Sequence, residues 1–391
     1  MRRAWNKALN EDLARAGSAT GSGALRSLAI AGASMLVGLG VVLPGAVGAS
    51  AAAPTWVMRG IPALGNYPLK SVACSGTGCV ALASKCSVGG CGGLLPAKAF
   101  VSTNVGASWK AAAVPGSVGD ASSVSCGSPD LCIATSTKGP PGPHSSSAII
   151  VSRTGGKTWA VDDEAVYSLS RATACATATS CVALGSMKSS SSTLISLGLV
   201  TTNAGKSWSK AGFPAKKAYI NAVACGTSTS CVAVGENSEY TAGIAFFSTN
   251  VGKSWKQMPL PVGATSVQTV SCNGLDCAAI TITQALVSRN GGKSWTMRRL
   301  PVVYGRYFQS AACLSGTRCV LVGYQTASTH SSPVAEITGN GGSSWSTQAV
   351  PKVDGSLSGV ACERGTCVAV GVREVYTGTT PKAEYPLALT Y

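Results

Sequence analysis

A step of the form apolar-x-Cys, four or five residues, then Cys-apolar-Ala-apolar recurs seven times along this chain. Its copies stand at Cys74/Cys79, Cys126/Cys132, Cys175/Cys181, Cys225/Cys231, Cys272/Cys277, Cys313/Cys319 and Cys362/Cys367, spaced 41 to 52 residues apart. Self-similarity at such a period means stacked copies of one supersecondary unit, each burying its apolar face against its neighbours. The repeat governs everything else that can be said about residues 54–391.

A second signature, Ser/Thr-x-Asn-x-Gly-x-Ser-Trp, alternates with the first and is complete in six copies. One reads Ser102-Thr103-Asn104-Val105-Gly106-Ala107-Ser108-Trp109; the others end at Trp159, Trp208, Trp255, Trp295 and Trp345. The third position is Asn104, Asn203, Asn250, Asn290 and Asn340 in five copies and Thr154 in the sixth. A short side-chain oxygen there can bond the backbone N–H groups of a turn, Gly supplies a positive φ, and Trp offers an apolar plate to a neighbouring unit. Between the signatures lie short β-rich runs. In the fourth period these are Ala222-Val223-Ala224, Cys231–Val234, Ile244–Ser248 and Trp255–Leu260. Runs of four to six residues broken by Gly and Ser disfavour a helical solenoid and predict four strands per period.

On these motifs the chain resembles the Asp-box family, also called bacterial neuraminidase repeats, whose pattern is Ser-x-Asp-x-Gly-x-Thr-Trp. The namesake Asp is absent here from all six copies. The four-strand unit and the resemblance together predict an all-β, seven-bladed β-propeller of four-stranded blades. Seven cysteine hairpins face six complete boxes, and the final Pro386–Tyr391 stops where a third strand ends. At the other end, Trp56-Val57-Met58-Arg59-Gly60-Ile61-Pro62 matches the post-box segment Trp295–Pro301. The N-terminal strand is therefore expected to complete the last blade and close the ring.

Each cysteine pair ends one strand and begins the next, so the two side chains can face each other across a hairpin. A disulfide is expected in each copy, and Cys86 with Cys91 makes an eighth pair with no cysteine left over. Zinc is disfavoured: the pairs sit in separate units and the chain holds only two histidines, His144 and His330. No metal and no cofactor are expected.

Residues 1–53 read as a secretory signal, or as an uncleaved membrane anchor. Arg2, Arg3, Lys7, Arg15 and Arg26 precede a charge-free run whose apolar heart is Leu28–Leu43, followed by Ala49-Ser50-Ala51. Either reading exports residues 54–391 to the cell surface or beyond, where many disulfides persist. This body retains 26 basic and 13 acidic residues, a net charge of +13. Such a bias attracts anionic surfaces, so a protein partner or an anionic glycan or cell-envelope polymer is expected. Nucleic acid is not, membrane contact is expected only through the N-terminal segment, and the body is expected to be a monomer.

The resemblance also implies that the boxes and first hairpins share one face and that the opposite face carries the site. Mapped onto this chain, that face collects Asp162-Asp163-Glu164 with Tyr167 and Arg171, Lys216-Lys217 with Tyr219, and Glu236 with Glu239 and Tyr240. It also collects Arg298, Arg299, Tyr304, Arg306 and Tyr307, and Arg373-Glu374 with Tyr376. The densest group is Arg298 to Tyr307, where planar guanidinium forks and amphipathic rings suit an anionic ligand or peptide. The function expected is a noncatalytic platform, like that of propellers similar to the photosystem II assembly factor.

The alternative is a sialidase-type glycoside hydrolase. The resemblance implies an arginine triad, a Tyr nucleophile with a Glu partner and an acid/base Asp for such an enzyme. Arg59-Gly60-Ile61-Pro62 is similar to a sialidase Arg-Ile-Pro motif, but Gly60 interrupts it. Val114-Pro115, Phe213-Pro214, Leu260-Pro261 and Val350-Pro351 show that an apolar-Pro ending belongs to the repeat itself. A channel mouth lined by Ser, Gly and scattered Lys favours the platform; three converging arginines with a Tyr–Glu contact favour the enzyme.

Overall fold

Runs such as Cys231-Val232-Ala233-Val234 combine β-branched and small apolar residues, which suit a strand covered on both sides. The computed structural model describes residues 55–62, 66–84, 96–138, 146–163, 172–188, 194–214, 218–301, 303–327, 330–378 and 380–391. These form seven four-stranded antiparallel sheets, six of them simple meanders of consecutive strands. The protein is a seven-bladed β-propeller. In the first blade the strands, from the centre outward, are Leu69–Ser75, Gly78–Ala83, Lys98–Ser102 and Lys110–Ala112. Innermost strands of successive blades lie side by side, and that of the seventh returns to that of the first.

The seventh blade closes the ring as the sequence predicts. Its strands are Gly355–Glu363, Thr366–Thr377 and Thr380–Thr390, with Val57–Met58 outermost. Val57 pairs with Thr390 and Met58 with Leu389, while buried Trp56 sets its ring 5.2 Å from that of Tyr391. The N-terminal Trp thus takes the place that a box Trp holds in the other blades.

The fourth blade shows its strands covered on both sides, and in one place it departs from the predicted strands for a physical reason. In the fourth blade the second strand is buried along its first five residues and the third along its last five, because neighbouring blades cover both faces. The innermost strand starts at Ala218, ahead of the predicted Ala222, and crosses a bulge between Ile220 and Ala222. Gly235 opposite makes this possible: a Cβ there would lie 1.8 Å from the Tyr219 carbonyl oxygen.

All seven repeat cysteine pairs form disulfides between directly paired residues. They are Cys74–Cys79, Cys126–Cys132, Cys175–Cys181, Cys225–Cys231, Cys272–Cys277, Cys313–Cys319 and Cys362–Cys367. The two cysteines of a pair are not equivalent. The second of each, Cys79, Cys132, Cys181, Cys231, Cys277, Cys319 and Cys367, is the first or second residue of the second strand and is buried between blades, whereas the first is half-buried in every pair except the sixth, where Cys313 is buried too. These cysteines are therefore interior staples and form no part of a binding surface. By loop entropy, each bridge joins cysteines at a sequence separation of five or six and is worth about 2 kcal/mol, a model-dependent figure. So many bridges belong to a chain that folds in an oxidising environment. Cys86 and Cys91, the segment 1–53, and Lys216 with Lys217 lie outside the described residues, as do Glu164, Tyr167 and Arg171. No described helix is long and apolar enough to cross a membrane.

Adjacent innermost strands belong to separate sheets, and side chains bridge them. Ser71 Oγ accepts from the Val124 N–H (3.1 Å), Ser125 Oγ from Cys175 (2.9 Å), Ser271 Oγ from Cys313 (3.0 Å) and Ser310 Oγ from Val360 (3.1 Å). Asn221 Nδ2 donates to the Val267 carbonyl at 3.0 Å. These polar residues of the central strands are thereby engaged in joining blade to blade.

Candidate binding face

The boxes and the cysteine hairpins share one face, because each box turn hydrogen-bonds the hairpin of its own blade. Val105 N–H donates to Thr77 O at 2.9 Å in the first blade, and Val251 N–H to Thr229 O at 2.8 Å in the fourth. Within the box, Asn104 Oδ1 accepts from the Ser108 N–H and the Ser102 hydroxyl, both at 2.9 Å, while Nδ2 donates to Ser108 Oγ. Asn203, Asn250, Asn290 and Asn340 repeat this ring of bonds, and Thr154 Oγ1 accepts from the Thr158 N–H at 2.9 Å in the remaining copy. Trp109, Trp159, Trp255 and Trp295 are buried, whereas Trp208 and Trp345 are half-buried. The box residues hold turns and blades together.

On the opposite face lie the loops between second and third strands and the links from blade to blade. The fifth blade ends in the exposed strand Thr296–Arg299, where Arg298 makes one long bond to the neighbouring Met297 carbonyl (3.4 Å) and the Arg299 side chain has no partner among the described residues. The chain then enters a turn, Val303–Arg306, closed by Arg306 N–H to Val303 O at 3.2 Å with Gly305 at φ 74°. The preceding link makes the same kind of turn at Pro261–Ala264, with Gly263 at φ 86°. The residues at the two tips, Val262 and Tyr304, are the most exposed large apolar side chains among the described residues, at 102% and 83%. A shallow cavity of about 280 Å³ lies beside the first turn, lined by Met258, Leu260, Pro261 and Ala264.

The rest of the expected Arg298-to-Tyr307 group divides. Tyr307 packs its ring 5.3 Å from Tyr324, whose phenol burial pushes to a higher pKa, with Tyr307 adding to the shift. Arg306 turns inward. Its guanidinium pairs with the fully buried Glu336, and also donates to Thr347 Oγ1 (3.2 Å) and Gln325 Oε1 (3.3 Å).

At the mouth of the sixth and seventh blades, Tyr376 donates to Glu374 Oε2 at 2.6 Å and lies 4.1 Å from the His330 ring. His330 Nδ1 stands 4.0 Å from Asp354 Oδ1, and Arg373 stacks 5.3 Å from the Tyr385 ring centroid. Glu374 and Glu384 are direct cross-strand partners. Burial, then Glu374, raise the pKa of Glu384, with Lys70 opposing; burial, then the Glu374 bond, raise that of Tyr376. Arg373 and Tyr376, both expected at the binding face, therefore sit among carboxylates. On the fourth blade, Tyr219 and Tyr240 stack at 5.0 Å, and their mutual hydrogen bond, ahead of burial, pushes Tyr240 up to about 12. Asp162 is held by Arg153.

No protein-family model matches the chain, and no curated protein matches it in sequence. Among solved structures it is similar to YCF48 bound to a D1 peptide, at 11% identity and a TM-score of 0.57, covering 87% of this chain and 96% of that one. It is similar to YCF48 from Cyanidioschyzon merolae, at 12% identity and 0.55, covering 86% and 98%. It is also similar to the acylaminoacyl peptidase of Pyrococcus horikoshii, at 9% identity and 0.51, covering 82% of this chain and 51% of that one. These are likenesses of fold.

Val262, Glu336, Glu384 and Tyr385 were not expected at the face or beneath it. Glu336 had a legible signal, since aligning the repeats puts it in register with large apolar residues in every other blade. Val262 had only the Pro-x-Gly spelling of its turn. Among the described residues the paired arginines serve separate partners, Arg153 holding Asp162, Arg289 Asp276 and Arg306 Glu336, while Arg59 Nε donates to Thr390 Oγ1 (2.7 Å) in the third strand of the seventh blade. No group of three described His, Cys, Asp or Glu side chains is placed to hold a metal ion.

Proposed function

We propose that this protein is an exported, noncatalytic propeller platform whose face opposite the boxes binds a protein segment of acidic character. The observation that carries this reading is the corner formed by the fourth-to-fifth and fifth-to-sixth links. Two consecutive turns there expose Val262 and Tyr304, which contribute nothing to the core, and Arg299, five residues before Tyr304 in the chain, has no partner among the described residues. Apolar tips flanked by unpaired Arg fit a peptide that brings a carboxylate and an apolar side chain together. The net charge of +13 on residues 54–391 steers such a partner towards the body. The YCF48 structure holding a D1 peptide supports the idea that a propeller of this fold can take a peptide.

The second reading, a sialidase-type glycoside hydrolase, has one observation in its favour, the Tyr376–Glu374 hydrogen bond. The dispersed arginines argue against it.

Both readings meet in one experiment. The disulfide-bonded protein is presented with arrays of acidic peptides and anionic glycans, and fluorogenic sialoside turnover is followed in the same wells. Salt-sensitive peptide capture that falls at least tenfold in Arg299→Glu or Tyr304→Ala supports the platform. Turnover abolished by Tyr376→Phe overturns it in favour of the hydrolase, and capture indifferent to both corner variants moves the site elsewhere.

A further inference from the structure

The buried ion pair beneath the corner departs from the repeat at two places at once. The first is on the third strand. The residue paired with the second position after each second cysteine is Phe100, Ile150, Leu199, Phe246, Leu286 and Leu389 in six blades, and Glu336 in the sixth blade. The second is in the interblade turn. Its fourth residue is buried Val118 after the first blade and buried Ala264 after the fourth, but Arg306 after the fifth. The two exceptional residues meet. Glu336 is fully buried and the Arg306 side chain is 10% exposed.

Such a pair is a poor way to strengthen a seam. Taking both charges out of water offsets most of their attraction, and matched apolar residues of similar volume often do as well or better. Here the compensation is incomplete: Glu336 Oε2 and Arg306 Nε are buried without hydrogen-bond partners. From the fifth blade the seam presents Ile280, Ala285 and Leu300, so Arg306 is the charge that answers Glu336. What the pair supplies beyond stability is direction. The guanidinium reaches from the turn into the blade and grips its second, third and outermost strands through Gln325, Glu336 and Thr347. Two residues upstream is Tyr304, while Gly305 O accepts from the Thr326 N–H at 2.8 Å.

We propose that Arg306 and Glu336 are positioning residues, a buried anchor that fixes the turn presenting Tyr304. Its use in recognition rests on the reading of the corner as a binding face; the anchoring itself does not, and is measured without a partner.

The test is hydrogen exchange at the amides of residue 306 and Thr326, alongside thermal melting, in Arg306→Met/Glu336→Leu, which restores the apolar pattern of the other blades. The expected result is a melting midpoint equal to or above that of the parent, with exchange at these two amides at least tenfold faster. Exchange at Ala264, in the neighbouring turn, should be unchanged. Arg306→Lys, which keeps the charge but loses the planar fork, should also speed exchange at Thr326. Glu336→Gln, which can still accept hydrogen bonds, should fall between, and provides a reading should the double variant misfold. Unchanged protection at both amides overturns the proposal. So does a lower midpoint with exchange accelerated evenly through all blades, which is the signature of a merely structural pair.

Discussion

The box face and the opposite face are built from the same strands yet follow different rules. On the box face, five asparagines and one threonine make corresponding bonds, and the glycine at the fifth position of each box, always at positive φ, touches a valine of the preceding blade. The recurring Ser, Thr and Asn side chains of the boxes are answered within their own turns. On the opposite face even links that share a turn present different side chains. One link presents Val262, the next Tyr304 over a buried ion pair, and the seventh blade raises a hairpin of twelve and eleven residues among carboxylates. Repetition marks what the ring needs to close, and irregularity marks where a propeller can differ from its neighbours without coming apart.

If that contrast is right, damage on the box side appears in stability and damage on the other side appears in binding. Reduction of the seven disulfides should have the largest effect, abolishing the cooperative thermal transition at neutral pH as followed by calorimetry; removing one pair, as in Cys225→Ala/Cys231→Ala, should cost about 2 kcal/mol. Gly292→Ala comes next. Its new Cβ would lie 2.4 Å from Val232 Cγ2 at a backbone φ of 90°, so a loss of about 3 kcal/mol is expected in denaturant unfolding. Asn250→Ala, which strips a box of its side-chain acceptor, should cost about 1 kcal/mol in the same assay.

Smaller still is a pH effect at the seventh blade. Glu384 has a raised folded pKa, from burial and the facing Glu374, so its charged form is disfavoured in the folded state and costs stability above the carboxylate range. Glu384→Gln should therefore raise the melting midpoint at pH 7, and the gain should vanish as pH falls through the folded pKa and the parent protonates. Tyr304→Ala should leave stability within about 0.5 kcal/mol, since exposed side chains away from the core contribute little. A destabilised Tyr304→Ala, or a silent Gly292→Ala, would erase the distinction between the faces.

Blade number, ring closure by Val57–Met58 and the hairpin disulfides were all legible, because each depends on residues close in sequence or on a repeat that counts itself. Strand ends were less so. The inner strand of the fourth blade continues through a bulge to Ala218 because Gly235, on the next strand, leaves room. Candidate site residues fared unevenly for a related reason. Arg299, at the end of an exposed outermost strand, and Tyr304, at a turn tip, are exposed, whereas Arg306, two residues beyond Tyr304, is drawn inward by a carboxylate thirty positions away. Arg373 and Tyr376 likewise sit among Asp354, Glu374 and Glu384, which only strand pairing and the link between blades assemble.

The sequence by itself determined the blade and its multiplicity: turn chemistry, strand propensity and the cysteine step act over a few residues and are written out in each copy. Only the tertiary structure decided which charges meet. A guanidinium goes to whichever carboxylate the fold brings within hydrogen-bond reach, and that is set by pleat, register and the stacking of one blade on the next. This is why Glu336, one letter in a strand of otherwise ordinary residues, became visible as the partner of Arg306 only when the strands of the sixth blade were laid side by side.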